Sequence, residues 1–213
     1  MKIMDDNIEV IDQEKSNDKK VIVWSDGLKA KYQNLWDSLV IREFTKYPDG
    51  NTIFWKKELT KVVNKLLTLR KMYQEVELKT GCAWQLIGAI HSMECGFSIT
   101  HLHNGDVLSE RTTHVPKGRP LKSNPPFSWI ESAVDAIEFD NLEKIKTDNI
   151  PYLLFRLELY NGKGYLKMDK PSPYLWSGSH HYSKGKYVKD GVYDPNAISK
   201  QLGGALILKE LIK

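Results

Sequence analysis

The stretch "TGCAWQLIGAIHSMECGF", residues 80–97, decides the fold. Apolar side chains cover more than one face of a helix here, and they are Trp84, Leu86, Ile87, Ala89, Ile90 and Met93. A helix that is apolar on most sides is a buried helix, so a central core helix is predicted from about 83 to 94. Gly81 is expected just past the end of a preceding helix over 53–79, because glycine favours that position.

Glu94 is the carboxylate that closes this central helix. The negative end of the helix macrodipole and the apolar neighbours Met93, Cys95 and Phe97 both disfavour a charged carboxylate there. The pKa of Glu94 is therefore expected to be raised, which suits a general acid that works near neutral pH. The alternative is a helix-terminal glutamate that faces solvent and has no chemical role.

The helical period ends after Phe97, and residues 97–115 have the pattern of a β-hairpin with "HNGD", residues 103–106, as its turn. Asp106 at this turn and Thr112 on the returning strand could meet Glu94 in one cleft. Asp106 would then stabilise an oxocarbenium-like centre or orient a water, and the Thr112 hydroxyl would hold that water. The alternative is that Asp106 serves the turn alone, since aspartate is favoured in turns.

The remainder of the chain is mostly helical in pattern. Apolar residues recur at helical spacing in four further stretches, which are 27–44, 128–145, 149–160 and 194–212. Ser128 and Glu131 have the spacing of a capping box at the start of the second of these. Residues 47–51 are predicted to form a turn, and residues 166–195 a long loop rich in Tyr, Gly, Ser, Pro and His.

These patterns predict an α+β, predominantly α-helical fold with a small β-hairpin beside the central helix. The chain has 213 residues, 41% of them hydrophobic, which is enough for one substantial core. Residues 1–20 are polar and charged and are expected to form a flexible N-terminal arm, with residues 21–213 as a single domain.

Three sequence features resemble the lysozyme-like superfamily. Residues 80–97 resemble the segment of soluble lytic transglycosylases and goose-type lysozymes in which a helix delivers a catalytic glutamate. "LELYNGKGY", residues 157–165, resembles their Tyr-Asn-Ala-Gly motif, and the interval from Asp106 to Thr112 resembles the Asp-x5-Thr spacing of phage-type lysozymes. The resemblance implies a lysozyme-like fold and a muramidase that cleaves the β-1,4 bond between N-acetylmuramic acid and N-acetylglucosamine, by hydrolysis or by lytic transglycosylation.

The same resemblance assigns roles to residues of this chain. It implies that Glu94 is the general acid and that Tyr160 and Asn161 line the sugar cleft. Two departures from the family patterns affect the other roles. The interval from Glu94 to Asp106 is longer than in phage-type lysozymes, and Gly162 stands where the transglycosylase motif has alanine.

Aromatic and histidine side chains complete the predicted substrate site. Aromatic faces stack on sugar rings, and histidines hydrogen-bond hydroxyl and acetamido groups. The residues expected in this role are His101, His103, Tyr165, Tyr174, Trp176, His181 and Tyr182. The alternative is that the aromatic side chains of the long loop fasten it to the core.

Two rival functions are consistent with the same residues. His101 and His103 lie two positions apart on a predicted strand, which places both rings on the same face. They could bind zinc together with His114 or His181, as in cell-wall amidases and peptidases. That interpretation leaves Glu94 and the Tyr-Asn-Gly run unexplained. The other rival is a cell-wall binding module without activity.

Charge and composition narrow the expected partners. The net charge of +4 fits an anionic polymer, and no Lys/Arg-rich cluster interleaved with aromatic residues stands out, which argues against nucleic acid. No apolar run is long enough to span a membrane, and the first 20 residues contain no apolar signal-peptide core. We expect peptidoglycan glycan strands as partner, with no cofactor, no metal, no stable membrane insertion and a monomeric chain. The expected enzyme is made in the cytoplasm and acts on the bacterial cell wall, as a phage lysin or an otherwise exported protein.

Overall fold

The computed structural model describes residues 9–10, 22–101, 106–113 and 116–213. Within these ranges the helices are α1 (Asp26–Asp37), α2 (Trp55–Thr80), α3 (Trp84–Cys95), α4 (Trp129–Phe139), α5 (Ile150–Tyr160), α6 (Gly164–Lys167), α7 (Pro173–Trp176) and α8 (Gly204–Leu211). The strands pair antiparallel in twos, β1 (Glu9–Val10) with β2 (Ile22–Val23), β3 (Phe44–Lys46) with β4 (Thr52–Phe54), and β5 (Lys186–Lys189) with β6 (Val192–Asp194). The fold is α+β and predominantly helical, which confirms the prediction.

The predicted central helix is α3, and the structure confirms that it is buried. It packs against α2, α5 and α8, and its first two turns are enclosed except for Gln85. Gly88 allows α2 to approach closely, because a Cβ atom at this position would lie 2.7 Å from Cδ2 of Leu66. The tight packing fixes the direction of α3 and therefore the place where its last turn, with Glu94, emerges.

Several helix ends lie where the sequence predicts them. α2 ends at Gly81, which has a left-handed φ of 72°. α4 begins with the predicted capping box, since Ser128 Oγ accepts a hydrogen bond from the Glu131 amide and the Glu131 carboxylate accepts one from the Ser128 amide. α5 ends at Asn161, and Gly162 follows it. Local sequence signals therefore set the ends of three helices around the site.

The prediction of a long loop over 166–195 is wrong. This segment contains α7 and the hairpin β5–β6. The rings of Tyr187 and Tyr193 pack on each other in the hairpin, a contact that no helical or strand period in the sequence predicts. The last helix is also shorter than predicted, since α8 begins at Gly204 rather than near Pro195. Residues before α8 pack on α7 instead, where the Gly203 amide donates to the Ser177 carbonyl over 3.0 Å.

The predicted hairpin over 97–115 is present in part. His101 and Val107 form an isolated antiparallel bridge, and the Leu108 amide donates to the Thr100 carbonyl over 3.4 Å. Residues 102–105, which hold most of the predicted turn, lie outside the described residues, as does the predicted arm apart from its strand β1. In the described ranges, no helix combines the length and the apolar character needed to cross a membrane.

Candidate active site

Glu94 lies in the last turn of α3, and Gly96 ends the helix with a left-handed φ of 56°. The Tyr174 hydroxyl, from α7, donates a hydrogen bond of 2.7 Å to Oε1 of Glu94. Tyr174 is itself only 6% exposed, so a rigid, buried group holds one carboxyl oxygen in place. Two elements distant in sequence, α3 and α7, thus meet at this carboxyl.

The surroundings of Glu94 raise its pKa. Burial is the largest cause, because it disfavours the charged form, and the hydrogen bond from Tyr174 opposes it by stabilising the carboxylate. Glu94 as a residue is exposed to solvent, although its carboxyl is surrounded closely enough for burial to raise its pKa. A carboxyl that is open on one side and enclosed on the other can hold a proton and also deliver it.

A small cavity adjoins Glu94 on the side of α4. Its volume is about 40 Å³, which is room for a few waters at roughly 10–15 Å³ each and too little for a sugar ring. The side chains around it come from α3, α4, His101 and Tyr160. This space can serve a water next to the acid, but it cannot be the substrate cleft.

A much larger groove lies beyond Tyr174. Its volume is about 710 Å³, within the usual size of ligand sites, roughly 300–1,000 Å³. The groove is lined by the turn after α5, the start of α7, the hairpin β5–β6 and the segment before α8, represented by Asn161, Tyr165, Tyr174, Lys186, Tyr187, Lys189, Asp190, Ser199 and Gln201. We call this space the hairpin groove.

The hairpin groove is joined directly to the end of α3. Tyr174 lines the groove and also holds Glu94. Gln201, on another side of the groove, donates from Nε2 to the Met93 carbonyl over 2.7 Å. Glu94 itself lines the small cavity, and the hydrogen bond from Tyr174 connects it to a residue that lines the larger groove.

Five of the predicted substrate residues line the small cavity or the hairpin groove. His101 and Tyr160 line the small cavity beside the acid, and Asn161, Tyr165 and Tyr174 line the hairpin groove. The polypeptide can turn sharply after Asn161 because Gly162 adopts a φ of 99°, a backbone conformation that strains residues with a Cβ atom. Glycine at position 162 thus has a conformational reason.

Asp106 and Thr112 lie in a different environment. The Asp106 carboxylate accepts hydrogen bonds from the Thr113 amide (3.0 Å) and the Thr113 hydroxyl (3.1 Å). Thr112 is only 3% exposed, and its hydroxyl donates to the Pro116 carbonyl and accepts from the Arg119 amide at 2.9 Å. Neither side chain is among the described residues that line the small cavity or the hairpin groove. The hydrogen bonds of Asp106 and Thr112 named here are therefore to residues of their own loop.

Three of the predicted sugar-binding side chains have structural contacts, two of them buried (Trp176 and Tyr182) and one half-buried (His181). Trp176 is 0% exposed and offers no face to a sugar. The Nε2 atom of His181 lies 2.8 Å from the Leu35 carbonyl, and the Tyr182 hydroxyl accepts from the Ser199 amide at 3.0 Å. These residues fasten the segment after α7 to α1 and to the approach of α8, which was the alternative interpretation of the loop aromatics.

The histidines that suggested zinc are only partly described. His101 lines the small cavity, where its Nδ1 lies 2.9 Å from the Ser98 hydroxyl. His103 and His114 lie outside the described residues. Among the residues that the structure does describe, no three His, Cys, Asp or Glu side chains are grouped as metal ligands would be.

Asp140 is a carboxylate near the site that sequence reasoning missed. It caps α4, and burial raises its pKa to about 6, with Arg156 and Arg119 acting in the opposite direction and the Glu94 charge adding to the rise. Both carboxylates also act on Tyr160, whose pKa they raise together with its burial. An aspartate after the last apolar residue of a helix carries no motif, so only the folded arrangement identifies it.

Comparison with known proteins leaves the function to be inferred from these residues. No protein-family model, curated protein or solved structure gives a significant match to the chain.

Proposed function

We propose that this protein is a lysozyme-like muramidase that cleaves the β-1,4 bond between N-acetylmuramic acid and N-acetylglucosamine in peptidoglycan. One observation carries the proposal. Glu94, a carboxyl with a raised pKa, accepts a hydrogen bond from the Tyr174 hydroxyl, and Tyr174 lines a groove large enough for a saccharide. The resemblance of residues 80–97 and 157–165 to lytic transglycosylases and goose-type lysozymes gives the same roles to Glu94, Tyr160 and Asn161.

In the proposed reaction, Glu94 donates its proton to the glycosidic oxygen while the bond to the anomeric carbon breaks. The electron pair of that bond stays with the oxygen, which leaves as a hydroxyl. The positive charge at the anomeric carbon is then quenched by a water, or by the 6-hydroxyl of the same muramic residue. The first route gives a reducing end and the second gives an anhydro end, and either route returns a proton to Glu94.

Tyr174 has a positioning role in this scheme. Its hydroxyl fixes Oε1 of Glu94, and a fixed carboxyl loses less entropy when it reaches the transition state. The nearby amide of Asn161 and the tyrosine edges of the groove are of the kinds that bind sugar hydroxyls, acetamido groups and ring faces.

The direct test is the glutamate itself. Replacing Glu94 with glutamine keeps the shape but removes the proton, so we expect release of soluble fragments from purified, dye-labelled peptidoglycan to fall at least about 10²-fold. Glu75→Gln, on the exposed side of α2, is the matched control and should leave the rate unchanged. Full activity of Glu94→Gln would refute the proposal, and loss of parent activity on adding a chelator would favour the zinc alternative.

A further inference from the structure

The segment that supplies the hairpin β5 wall of the groove is rich in lysine. Residues 163–190 contain six lysines and two aspartates, so their formal net charge equals the +4 of the whole chain. These lysines are spaced along α6, its following loop and the hairpin β5–β6, with tyrosines between them. This basic and aromatic cluster does not stand out in the sequence, because it forms only when the hairpin β5–β6 folds back on α6.

The hairpin β5–β6 is fixed on the body of the protein. The Tyr187 amide donates to the Tyr165 hydroxyl over 3.0 Å, and the two rings lie 5.2 Å apart, edge to face. Tyr193 of β6 packs on both rings. Gly164 makes room for this contact, because a Cβ atom there would lie 2.6 Å from the Tyr187 hydroxyl. The lysines of β5 therefore have a defined place relative to Tyr174 and Glu94.

Lys186 and Lys189 line the groove. Within the described part of the chain, neither makes an ion pair or a side-chain hydrogen bond that would neutralise it. Other lysines nearby are engaged, since Lys170 lies 4.7 Å from the centre of the Tyr193 ring and Lys184 donates to Asn196. Lys186 and Lys189 thus supply positive charge that the fold itself does not use.

The other walls of the groove carry neutral hydrogen-bonding groups. Asn161, Ser199 and Gln201 also line it, and Asp190 at the hairpin turn adds one negative charge. Two lysines and one aspartate suit a ligand with a single anionic group among many neutral polar groups. A nucleic acid has a phosphate at every nucleotide and needs a denser row of cations.

We propose that the hairpin groove binds a saccharide bearing a carboxylate, with Lys186 and Lys189 receiving that carboxylate and Asn161, Ser199 and Gln201 receiving neutral sugar groups. This deepens the proposed function, on which it rests for the identity of the polymer. In peptidoglycan, the carboxylate has two sources, the lactyl group of a muramic residue without its peptide and the peptide stem itself.

The test measures binding in a Glu94→Gln background, so that no probe is consumed. The probes are glycan fragments without peptide stems, fragments with intact stems, each of these two kinds with its carboxylates converted to amides, and a thymidine oligonucleotide. Titration calorimetry gives a Kd for each. The test variant carries Lys186→Gln and Lys189→Gln, and the matched control carries Lys57→Gln and Lys65→Gln on the exposed side of α2.

We expect the Glu94→Gln protein with both lysines intact to bind carboxylate-bearing fragments about 10-fold more tightly than their amides. Two partly exposed ion pairs allow a difference of this size. The preference should disappear in the test variant and persist in the control. Whether stem-free or stem-bearing fragments show the preference identifies the source of the carboxylate. Equal Kd values for fragments and amides, an unchanged preference in the test variant, or tighter binding of the oligonucleotide would each overturn the inference.

The two proposals fail in different ways. A protein that cleaves peptidoglycan through Glu94 but binds fragments and amides equally retains the muramidase function and loses the carboxylate site. A protein that prefers carboxylate-bearing fragments through Lys186 and Lys189 but cleaves no glycosidic bond has the binding site without the reaction.

Discussion

Two opposing influences set the acidity of Glu94, burial of its carboxyl and the hydrogen bond from Tyr174. Burial favours the protonated acid and raises the pKa, whereas the tyrosine hydroxyl favours the carboxylate and lowers it. The same tyrosine also holds the carboxyl in position. Loss of the hydroxyl should therefore change both the pH dependence and the rate, while loss of an unrelated tyrosine should change neither.

Tyr174→Phe is expected to move the alkaline limb of the pH–rate profile to higher pH. The variant removes the hydrogen bond that stabilises the carboxylate, so the pKa of Glu94 rises and the acid stays protonated over a wider range. The maximal rate should fall roughly 10- to 100-fold, because the carboxyl is less well oriented. A pH series of kcat on purified glycan strands measures both effects. Tyr152→Phe, which removes a hydroxyl that accepts a hydrogen bond from Arg156, is the control, and a limb that stays fixed in Tyr174→Phe contradicts the positioning role.

Asp106 is expected to contribute little to the reaction. Its carboxylate bonds the backbone and side chain of Thr113, so Asp106→Asn should alter the stability of that loop and keep the rate within about 10-fold of the parent, far from the loss expected for a catalytic group. Steady-state kinetics on the same glycan strands would check this. A loss above about 10³-fold would restore Asp106 as the second carboxylate of a phage-type mechanism.

At the scale of elements, the sequence predicted the parts whose signals are local. The apolar pattern of α3, the capping box of Ser128 and the glycine after α2 depend on residues within a few positions of one another, and all three predictions are confirmed. Glu94 and the run from Tyr160 to Tyr165 could be selected as candidate site residues for the same reason, since their patterns are also local. The hairpin β5–β6 and the start of α8 depend on contacts with α6 and α7, which leave no period in the sequence.

The close packing of α3 on α2, which positions Glu94, can be tested by a substitution at Gly88. A Cβ atom at Gly88 would lie 2.7 Å from Cδ2 of Leu66 and 3.2 Å from Cε2 of Tyr73. Gly88→Ala should therefore lower the free energy of unfolding by about 1–3 kcal/mol, since extra volume strains a packed core. Denaturant titration measures this change. The control is Gly27→Ala in α1, where the nearest atom is Ser25 Oγ at 3.8 Å, and equal effects of the two changes would contradict the close contact.

At the scale of the whole molecule, a buried carboxyl joins α1 to α5. Glu158 is only 3% exposed, and the Tyr32 hydroxyl donates a hydrogen bond to its Oε2. Burial raises the pKa of Glu158, and this effect is larger than the lowering of the pKa by the Tyr32 hydrogen bond and the nearby Lys31 charge. The folded protein therefore binds the Glu158 proton more tightly than the unfolded chain does.

This difference gives the stability of the fold a pH dependence of definite sign. The contribution of Glu158 is fully present below the unfolded pKa, about 4.3, and is lost as pH rises through the raised folded pKa. Glu158→Gln cannot titrate, so it should flatten the decline of the unfolding free energy with rising pH. Denaturant titrations of parent and variant from pH 4 to pH 8 compare the slopes. Identical slopes would show that Glu158 is charged in both states.

The proposed muramidase breaks one kind of bond in peptidoglycan, the β-1,4 bond between N-acetylmuramic acid and N-acetylglucosamine. Mass spectrometry of fragments released from purified peptidoglycan by the parent protein, with Glu94→Gln as the control, identifies that bond directly. We predict new glycan ends at muramic residues, as a reducing end when water is added or an anhydro end when it is not, and no such ends with the variant. Fragments cut only at amide bonds of the peptide stems, or muramic ends released equally by Glu94→Gln, would contradict the account.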